Sequence, residues 1–357
     1  MRNYESLIKN VQNRTNPDFI DEAQLFESEF RKGLGQPSYR KVLEYVKRAM
    51  HGVEPRYTER TLEAGKKVMK HLKEDNPYAD YEFQGSVMTN THIKGHSDID
   101  LLQITNMFYS HENRNIFNDA YSSFEFNNIE KSRILNLLNS SIFTGSPNKT
   151  LSELRKNAEI VLQNNYKYVN IHKGKSIEVK PTNPYRMVDV VTASYYENLK
   201  SITKGDKSEK GIQVYDKIKD IRLDVDYPFL KIKLVNKKDK SVNGRLKKMI
   251  RFIKNVKADC ENEIKLSSFD ITSICYDIPI NLYFDKSYFE LVAVIYNQFL
   301  KIYTDSFYRN NLMSVDGTEP IFKNKEYKLS NLALLVKEIN IIKDDIHKET
   351  SNVPRFI

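Results

Sequence analysis

One stretch constrains this chain more than any other: Gly85-Ser86-Val87-Met88-Thr89-Asn90-Thr91-His92-Ile93-Lys94-Gly95-His96-Ser97-Asp98-Ile99-Asp100, running on into Leu101-Leu102. It reads as strand, tight turn, short helix, loop and strand. Tyr81 to Gln84 alternates aromatic and polar residues, the period of two that marks a half-buried strand. Gly85 lets the backbone turn sharply and approach a ligand closely. Ser86 then suits a helix N-cap, and the free amides of that first turn make an anion site. Asp98-Ile99-Asp100 lies on the next strand, where residues two apart share a face. Both carboxylates are expected to face the phosphate-binding turn while Ile99 enters the core. Carboxylates grouped near phosphates hold Mg²⁺, with the substrate's own phosphates completing the shell.

The 357 residues suggest about two domains, each able to bury a sizeable core. No run approaches the ~20 apolar residues of a membrane span, and no apolar segment follows Met1 as in a signal peptide. Cys260 and Cys275 are too few for a disulfide framework and are expected to be reduced and buried. A cytoplasmic, soluble protein without a membrane role is the reading. Fifty-six basic against 47 acidic residues leave a net charge of +9, which suits polyanions such as nucleotides or RNA. The basic residues are widely spread, so a solvated surface explains the balance equally well.

Helical spacing joins Phe19, Ala23, Phe26 and Phe30, then Val42, Leu43, Val46 and Met50, with Gly33 to Pro37 between them. A third helix is expected from near Thr58, with Leu62, Gly65, Met69 and Leu72 on one face, stopped by Asp75-Asn76-Pro77. Residues 103–149 have little period and read as an irregular insertion with some helix. Thr150 and Glu153 form a capping box ahead of Leu154, Ala158, Val161 and Leu162. Tyr166 to Asn170 and Ser176 to Lys180 read as strands joined by a turn at His172-Lys173-Gly174-Lys175. Residues 200–243 are polar and Lys-rich and place a domain junction. From Gly244 the chain is helical, with a buried stripe of Leu246, Met249, Ile250, Ile253 and Val256. Ser267-Ser268-Phe269 starts the next helix, Tyr288 to Tyr303 another, and Leu329 to Ile346 the last, after a loop at Met313 to Pro320. Residues 1–235 are read as one domain and 236–357 as a C-terminal helical domain.

Asp189 stands alone among Arg186-Met187-Val188 and Val190-Val191. A carboxylate in such a strand is costly to bury without a partner, so Asp189 is either the third carboxylate of the Asp98 and Asp100 site or a strand-end aspartate exposed to water. Three carboxylates from neighbouring strands can hold two Mg²⁺ roughly 3.5–4 Å apart, the clamp used for displacement at phosphorus. Lys247, Arg251 and Lys254 form a row apart from the apolar stripe. Such a row is either a solvated face or a contact for a triphosphate. Gly174-Lys175-Ser176 fails as a P-loop, because Val169 holds the position of its first glycine. His92 and His96 lie in a loop without a carboxylate-bearing helix and do not specify zinc. No serine elbow or Cys-His pairing supports covalent catalysis.

Gly85-Ser86 followed by Thr91-x-Ile93-x-Gly95-x-Ser97-Asp98-Ile99-Asp100 resembles the DNA polymerase β-type nucleotidyltransferases. With Gln84 ahead of it, a Val-Asp-Val strand at Asp189 and a helical C-terminal half, it resembles more closely the bacterial cGAS/DncV-like nucleotidyltransferases (CD-NTases) of CBASS antiphage systems. The resemblance implies an α+β fold: a polymerase β-like core with a central mixed sheet, N-terminal helices and a C-terminal helical domain. It implies that Gln84, Gly85 and Ser86 hold the donor phosphates. Asp98 and Asp100 would bind two Mg²⁺, with Mn²⁺ as the alternative ion, and Asp189 the metal that activates the attacking hydroxyl. Lys254 and Ser268, followed by Phe269, match a basic residue and a Ser-aromatic pair that reach the triphosphate in related synthases.

The implied product is a cyclic di- or trinucleotide made from NTPs, ATP and another among them, and carried by diffusion to an effector. A monomer is expected, with an activating RNA or regulatory protein as further partners. Two other readings stand beside it. One is template-independent addition of nucleotides to RNA, which +9 would suit; the other is a sensor that binds nucleotide or RNA without catalysis. Intact Asp98, Asp100 and Asp189 argue against the sensor. The ending Val353 to Ile357 lacks the terminal glycine of chains conjugated by ubiquitin-ligase-like partners, so that regulation is not expected.

Overall fold

A computed structural model of the chain describes residues 2–15, 41–94 and 99–351. The helix expected at Phe19 to Phe30, the break at Gly33 to Pro37 and the ending Val353 to Ile357 lie outside the described residues, as do Gly95, His96, Ser97 and Asp98. The first elements are α1 (Tyr4–Thr15), α2 (Lys41–Met50), α3 (Pro55–Asp75), β1 (Ala79–Gln84) and β2 (Ile99–His111). Next come α4 (Arg114–Ser122), α5 (Asn128–Leu138), α6 (Pro147–Asn165), β3 (Tyr168–Asn170), β4 (Ile177–Lys180) and β5 (Val188–Glu197). Then follow α7 (Leu199–Lys204), β6 (Gly211–Asp216), β7 (Ile221–Arg222) and α8 (Pro228–Ser241). The chain closes with α9 (Arg245–Ala258), α10 (Ser268–Asp277), α11 (Tyr288–Thr304), α12 (Ser306–Asn311) and α13 (Tyr327–Ser351).

Two compact units divide the described residues: one takes residues 59–88 and 99–233, the other 2–15, 41–58, 89–94 and 234–351. The first is built on a mixed sheet. β2 and β5 run parallel at its centre, β1 joins the free edge of β2, and β4 then β3 continue beyond β5. The far half of β5 pairs with β6 instead, so both halves of that edge are occupied. Alternation sorts the two faces. Ile99, Leu101, Ile177, Val179, Val188 and Val190 pack with Ala64, Val68 and Leu72 of α3 and Ala158 and Leu162 of α6. Leu102, Ile104, Val191, Ala193, Tyr195 and Ile212 form a second cluster, to which Phe229 is added. Gly65 is needed for the first: a Cβ there would stand 2.6 Å from the Phe83 ring.

The helical unit is organised on α9, whose Leu246, Met249, Ile250, Phe252, Ile253 and Val256 are all fully buried. Gly244, at φ +77, lets the chain turn into it. Ser267 caps α10 by a reciprocal bond with Asp270, at the helix start expected from Ser267-Ser268-Phe269. No described helix is long and apolar enough to cross a membrane.

Four sequence expectations need correction. Residues 103–111 continue β2, and the insertion holds α4 and α5, capped by Asn113 and Asn127. Their periodicity is weak because much of α4 and α5 is exposed. The cap of α6 is Ser146, with Pro147 in the first turn, while the Thr150 hydroxyl donates back to the Ser146 carbonyl. α3 starts at Pro55, because the Glu54 carboxylate accepts from the amides of Arg56 and Tyr57 at 2.7 and 2.9 Å. Residues 200–243, where a domain junction is expected, carry most of α7, then β6, β7 and α8, with the division between the two units at 233/234, and several of their lysines are used in ion pairs, such as Lys233 with Asp206 and Lys210 with Glu197. Cys275 is buried as expected, but Cys260 is only half-buried; both are free thiols.

Candidate active site

β1 ends at Gln84 and the chain turns at Gly85, whose φ of +86 favours glycine. A Cβ on Gly85 would lie 2.5 Å from Asp100 Oδ2, so the bare backbone is what makes room for this carboxylate. The short helix expected after Ser86 does not form. Residues 86–90 are turns, closed by the Met88 amide donating to Gly85 O at 3.2 Å, and Asn90 takes φ +52. The reversed φ at both ends of so short a segment leaves no room for a helical turn. Ser86 is half-buried in that turn and caps no helix.

Sheet register then aligns the polar groups. Gln84 lies opposite Asp100, Asp100 opposite Asp189 on the parallel strand, and Asp189 opposite Glu178 on β4. Asn170 continues the row on β3. Directly opposed residues share a face, so one row of the sheet carries Asp100, Asp189 and Glu178, with adjacent strands roughly 4.8 Å apart. Ile99, one residue from Asp100, is fully buried on the other face. Asp98 lies outside the described residues, so its place relative to this row is not part of the geometry. Glu178 was missed from sequence. The signal was there in Ser176, Glu178 and Lys180 alternating with Ile177 and Val179.

Burial raises the Asp189 carboxyl above the usual carboxylate range, partly offset by Lys173 and Ser176. Ser176 Oγ donates to Asp189 Oδ1 at 3.3 Å, and Lys173 Nζ stands 3.7 Å from the same oxygen. Burial pulls Glu178 the same way, but bonds from Asn170, Lys173 and Tyr168 bring it below its ordinary value. Its Oε2 accepts from Asn170 Nδ2 at 3.1 Å, and Lys173 Nζ lies 3.2 Å from Oε1. The hairpin that failed as a P-loop thus supplies a lysine to two carboxylates.

Asp100 and Asp189 suit a hard divalent cation: both are oxygen donors, half-buried, on one face, beside a turn that brings bare backbone to them. Among the described residues, no group of three or more His, Cys, Asp or Glu is arranged to hold a metal ion.

Lys254 and Ser268 belong to the helical unit and line one cavity of about 340 Å³ with Ile93, Lys257, Glu263 and Ile271. Lys254 is buried, which together with Arg251 and Lys257 pushes its ammonium down to about 7. Its Nζ donates to Thr91 O at 2.9 Å, and Arg251 donates to Asn90 O at 2.7 Å and Met50 O at 2.9 Å. The row Lys247, Arg251, Lys254 is therefore not a solvated face: two of its three members hold the backbone of Asn90 and Thr91. Ser268 is exposed, one residue beyond the cap of α10. His92 is buried beside Thr58, its Nε2 3.0 Å from Thr58 Oγ1, and stacks on Tyr57. Its expected neighbour His96 lies outside the described residues.

Comparison with known proteins agrees with this fold. The profile of the cGAS/DncV-like nucleotidyltransferase C-terminal helical domain matches residues 233–342. The chain is 40% identical over 98% of both chains to a c-di-GMP synthase from Flavobacteriaceae sp. genome_bin_11. It is 38% identical to one from Lachnospiraceae bacterium (strain RUG226), over 96% of this chain and 99% of the relative. A solved STING-associated CdnE c-di-GMP synthase from Flavobacteriaceae sp. superposes with a TM-score of 0.86 at 38% identity, covering 98% of this chain and 99% of that one. The chain belongs to the bacterial cGAS/DncV-like nucleotidyltransferases, and it is a nucleotidyltransferase of their cyclic-oligonucleotide synthase class.

Proposed function

We propose that this enzyme joins two NTPs into a cyclic dinucleotide with release of two pyrophosphates, and that the product is c-di-GMP. The observation that carries the reading is the register that opposes Asp100 to Asp189 beside the Gly85 turn. The names of the relatives support the guanine dinucleotide. Asp100 and Asp189, with Asp98 as third donor, would hold Mg²⁺ or Mn²⁺. When bound, the ions neutralise the triphosphate, which is most of what phosphoryl transfer requires.

The chain's own groups do the rest. Gln84, Gly85 and Ser86 orient the donor phosphates, and the bare Gly85 allows their close approach. Lys254 and Ser268, which line one cavity of the helical unit, are further candidates for phosphate binding on the resemblance alone. A ribose hydroxyl attacks the α-phosphorus, forming its P–O bond as the bond to pyrophosphate breaks. Its proton leaves on the side of Asp189, whose proton affinity burial has raised. A second transfer within the linear dinucleotide closes the ring. The STING-associated relative supports a diffusible signal read by a receptor in antiphage (CBASS) defence.

The test is incubation with all four radiolabelled NTPs and Mg²⁺ or Mn²⁺, phosphatase treatment and chromatography, beside Asp100→Ala. A phosphatase-resistant product from the wild type alone, with the mass of c-di-GMP, is expected. A resistant product of another mass replaces the guanine assignment; label that enters only added RNA refutes cyclic synthesis.

A further inference from the structure

A cavity of the sheet unit lies away from the residues of this chemistry. It encloses about 740 Å³ between the far end of β2, the start of α4 and the segment from Leu137 to Pro147. Asp100 stands at the opposite end of β2, about 30 Å away at ~3.3 Å per residue. The volume is that of a small-molecule site.

Its walls combine aromatic rings with two guanidiniums, Arg114 and Arg222, and two carboxylates, Glu112 and Glu197. Phe108 and Phe143 stack at 5.1 Å, and Phe143 is only partly buried. Arg222 lies over Phe108 at 5.8 Å and donates to Ser110 Oγ at 2.5 Å and Gln213 Oε1 at 3.2 Å, both neutral. Burial alone lowers its affinity for the proton, with no carboxylate acting on it. Arg114 donates to the Leu138 carbonyl. Among the described residues neither guanidinium has an ion-pair partner. Of the two carboxylates in the wall, Glu197 pairs with Lys210 at 2.6 Å and stands 3.6 Å from His111, and Glu112 accepts from the Leu199 amide at 2.8 Å and keeps its charge. A half-buried guanidinium bonded only to neutral groups is an unfavourable arrangement that an anion relieves.

We propose that this cavity is a second, non-catalytic nucleotide site, with the base against Phe143 and the phosphates on Arg222 and Arg114. A planar ring in the same cavity as guanidiniums selects a nucleotide over a simple anion. The substrate NTP and the cyclic product share that chemistry.

The full-length protein, in EDTA, is titrated with radiolabelled GTP, with c-di-GMP and with inorganic phosphate, beside Arg222→Gln, Arg114→Gln and Phe143→Ala. Binding of GTP or c-di-GMP is expected to weaken about tenfold in each variant, as one charge-assisted or stacking contact is lost. The synthase rate at low NTP is expected to stay unchanged. Tighter GTP marks a substrate sensor, and tighter c-di-GMP a product sensor; either supports the site. Equal affinities in wild type and variants overturn it, as does inorganic phosphate binding as tightly as the nucleotides. Should Arg222→Gln fail to fold, the exposed Arg114 and the rim residue Phe143 give the same reading. Since the metal is chelated, the result does not depend on whether the chain makes a cyclic dinucleotide.

Discussion

Gly85 and Asp100 are bound to each other by space: the glycine has φ +86, and any Cβ there meets Asp100 Oδ2 at 2.5 Å. Gly85→Ala is therefore expected to cost ~1–2 kcal/mol in strain and to displace the carboxylate, read as a lower Tm with a larger loss of turnover. Asp189→Asn removes a charge that burial disfavours, so its Tm should hold or rise while turnover falls ~10²–10⁴-fold. A Tm loss with turnover kept would return Asp189 to a structural role.

Lys254 gives a pH dependence of definite sign. With its ammonium at about 7 in the folded protein against 10.5 ordinarily, the folded state binds fewer protons between those values, so this group makes stability rise with pH across that window. The charge available to a triphosphate is lost over the same rise. KM for NTP should increase from pH 6 to 9, and Lys254→Arg should flatten that profile; an unchanged profile would remove Lys254 from phosphate binding. Gly85, Asp100 and Asp189 could be singled out from sequence because the proposed chemistry restricts their residue types. Glu178 and Lys173 were not, because only pairing of β4 with β5 brings them to Asp189.

At the scale of elements, α9 does more than fill the core. Asn255 Nδ2 donates to Ala49 O at 3.0 Å and Arg251 to Met50 O, so one helix satisfies carbonyls at the C-terminal end of α2. Arg14 joins the same network through Asn255 Oδ1 at 2.8 Å and Asp259 at 2.6 Å. Asn255→Leu should lower stability by about 1–3 kcal/mol, by leaving buried polar groups without partners, measured by urea unfolding. A neutral effect would mean the carbonyls find water. Helices with strong apolar stripes, such as α2, α9 and α11, were readable at this scale. α6 was placed correctly but its cap was misread, since Ser146-Pro147 competes with Thr150 for the same role. The length of β2 was not readable, because residues 103–111 gain their strand form from pairing with β1 and β5.

Across the whole sequence the basic residues behind the +9 charge are widely spread, and many of the described lysines are paired. Lys200 and Lys204 pair with Glu209, Lys207 with Glu82, Lys217 with Glu159, and Lys231 with Asp226. Binding to a long RNA should therefore depend only weakly on salt, with a log–log slope shallower than about −2, measured by filter binding. A steep slope would favour an RNA acceptor. The sequence by itself determined the class of chemistry, the helical C-terminal half and the strand–turn–strand that carries it, because these rest on local spacing and on residue types with few substitutes. The tertiary structure alone decided that α1 and α2 belong with the helical unit. It also decided that Lys254 is buried on a backbone carbonyl and that Glu178 stands beside Asp189. Those facts depend on which distant segments meet, and a one-dimensional pattern records the face a residue prefers but not the neighbour it finds there.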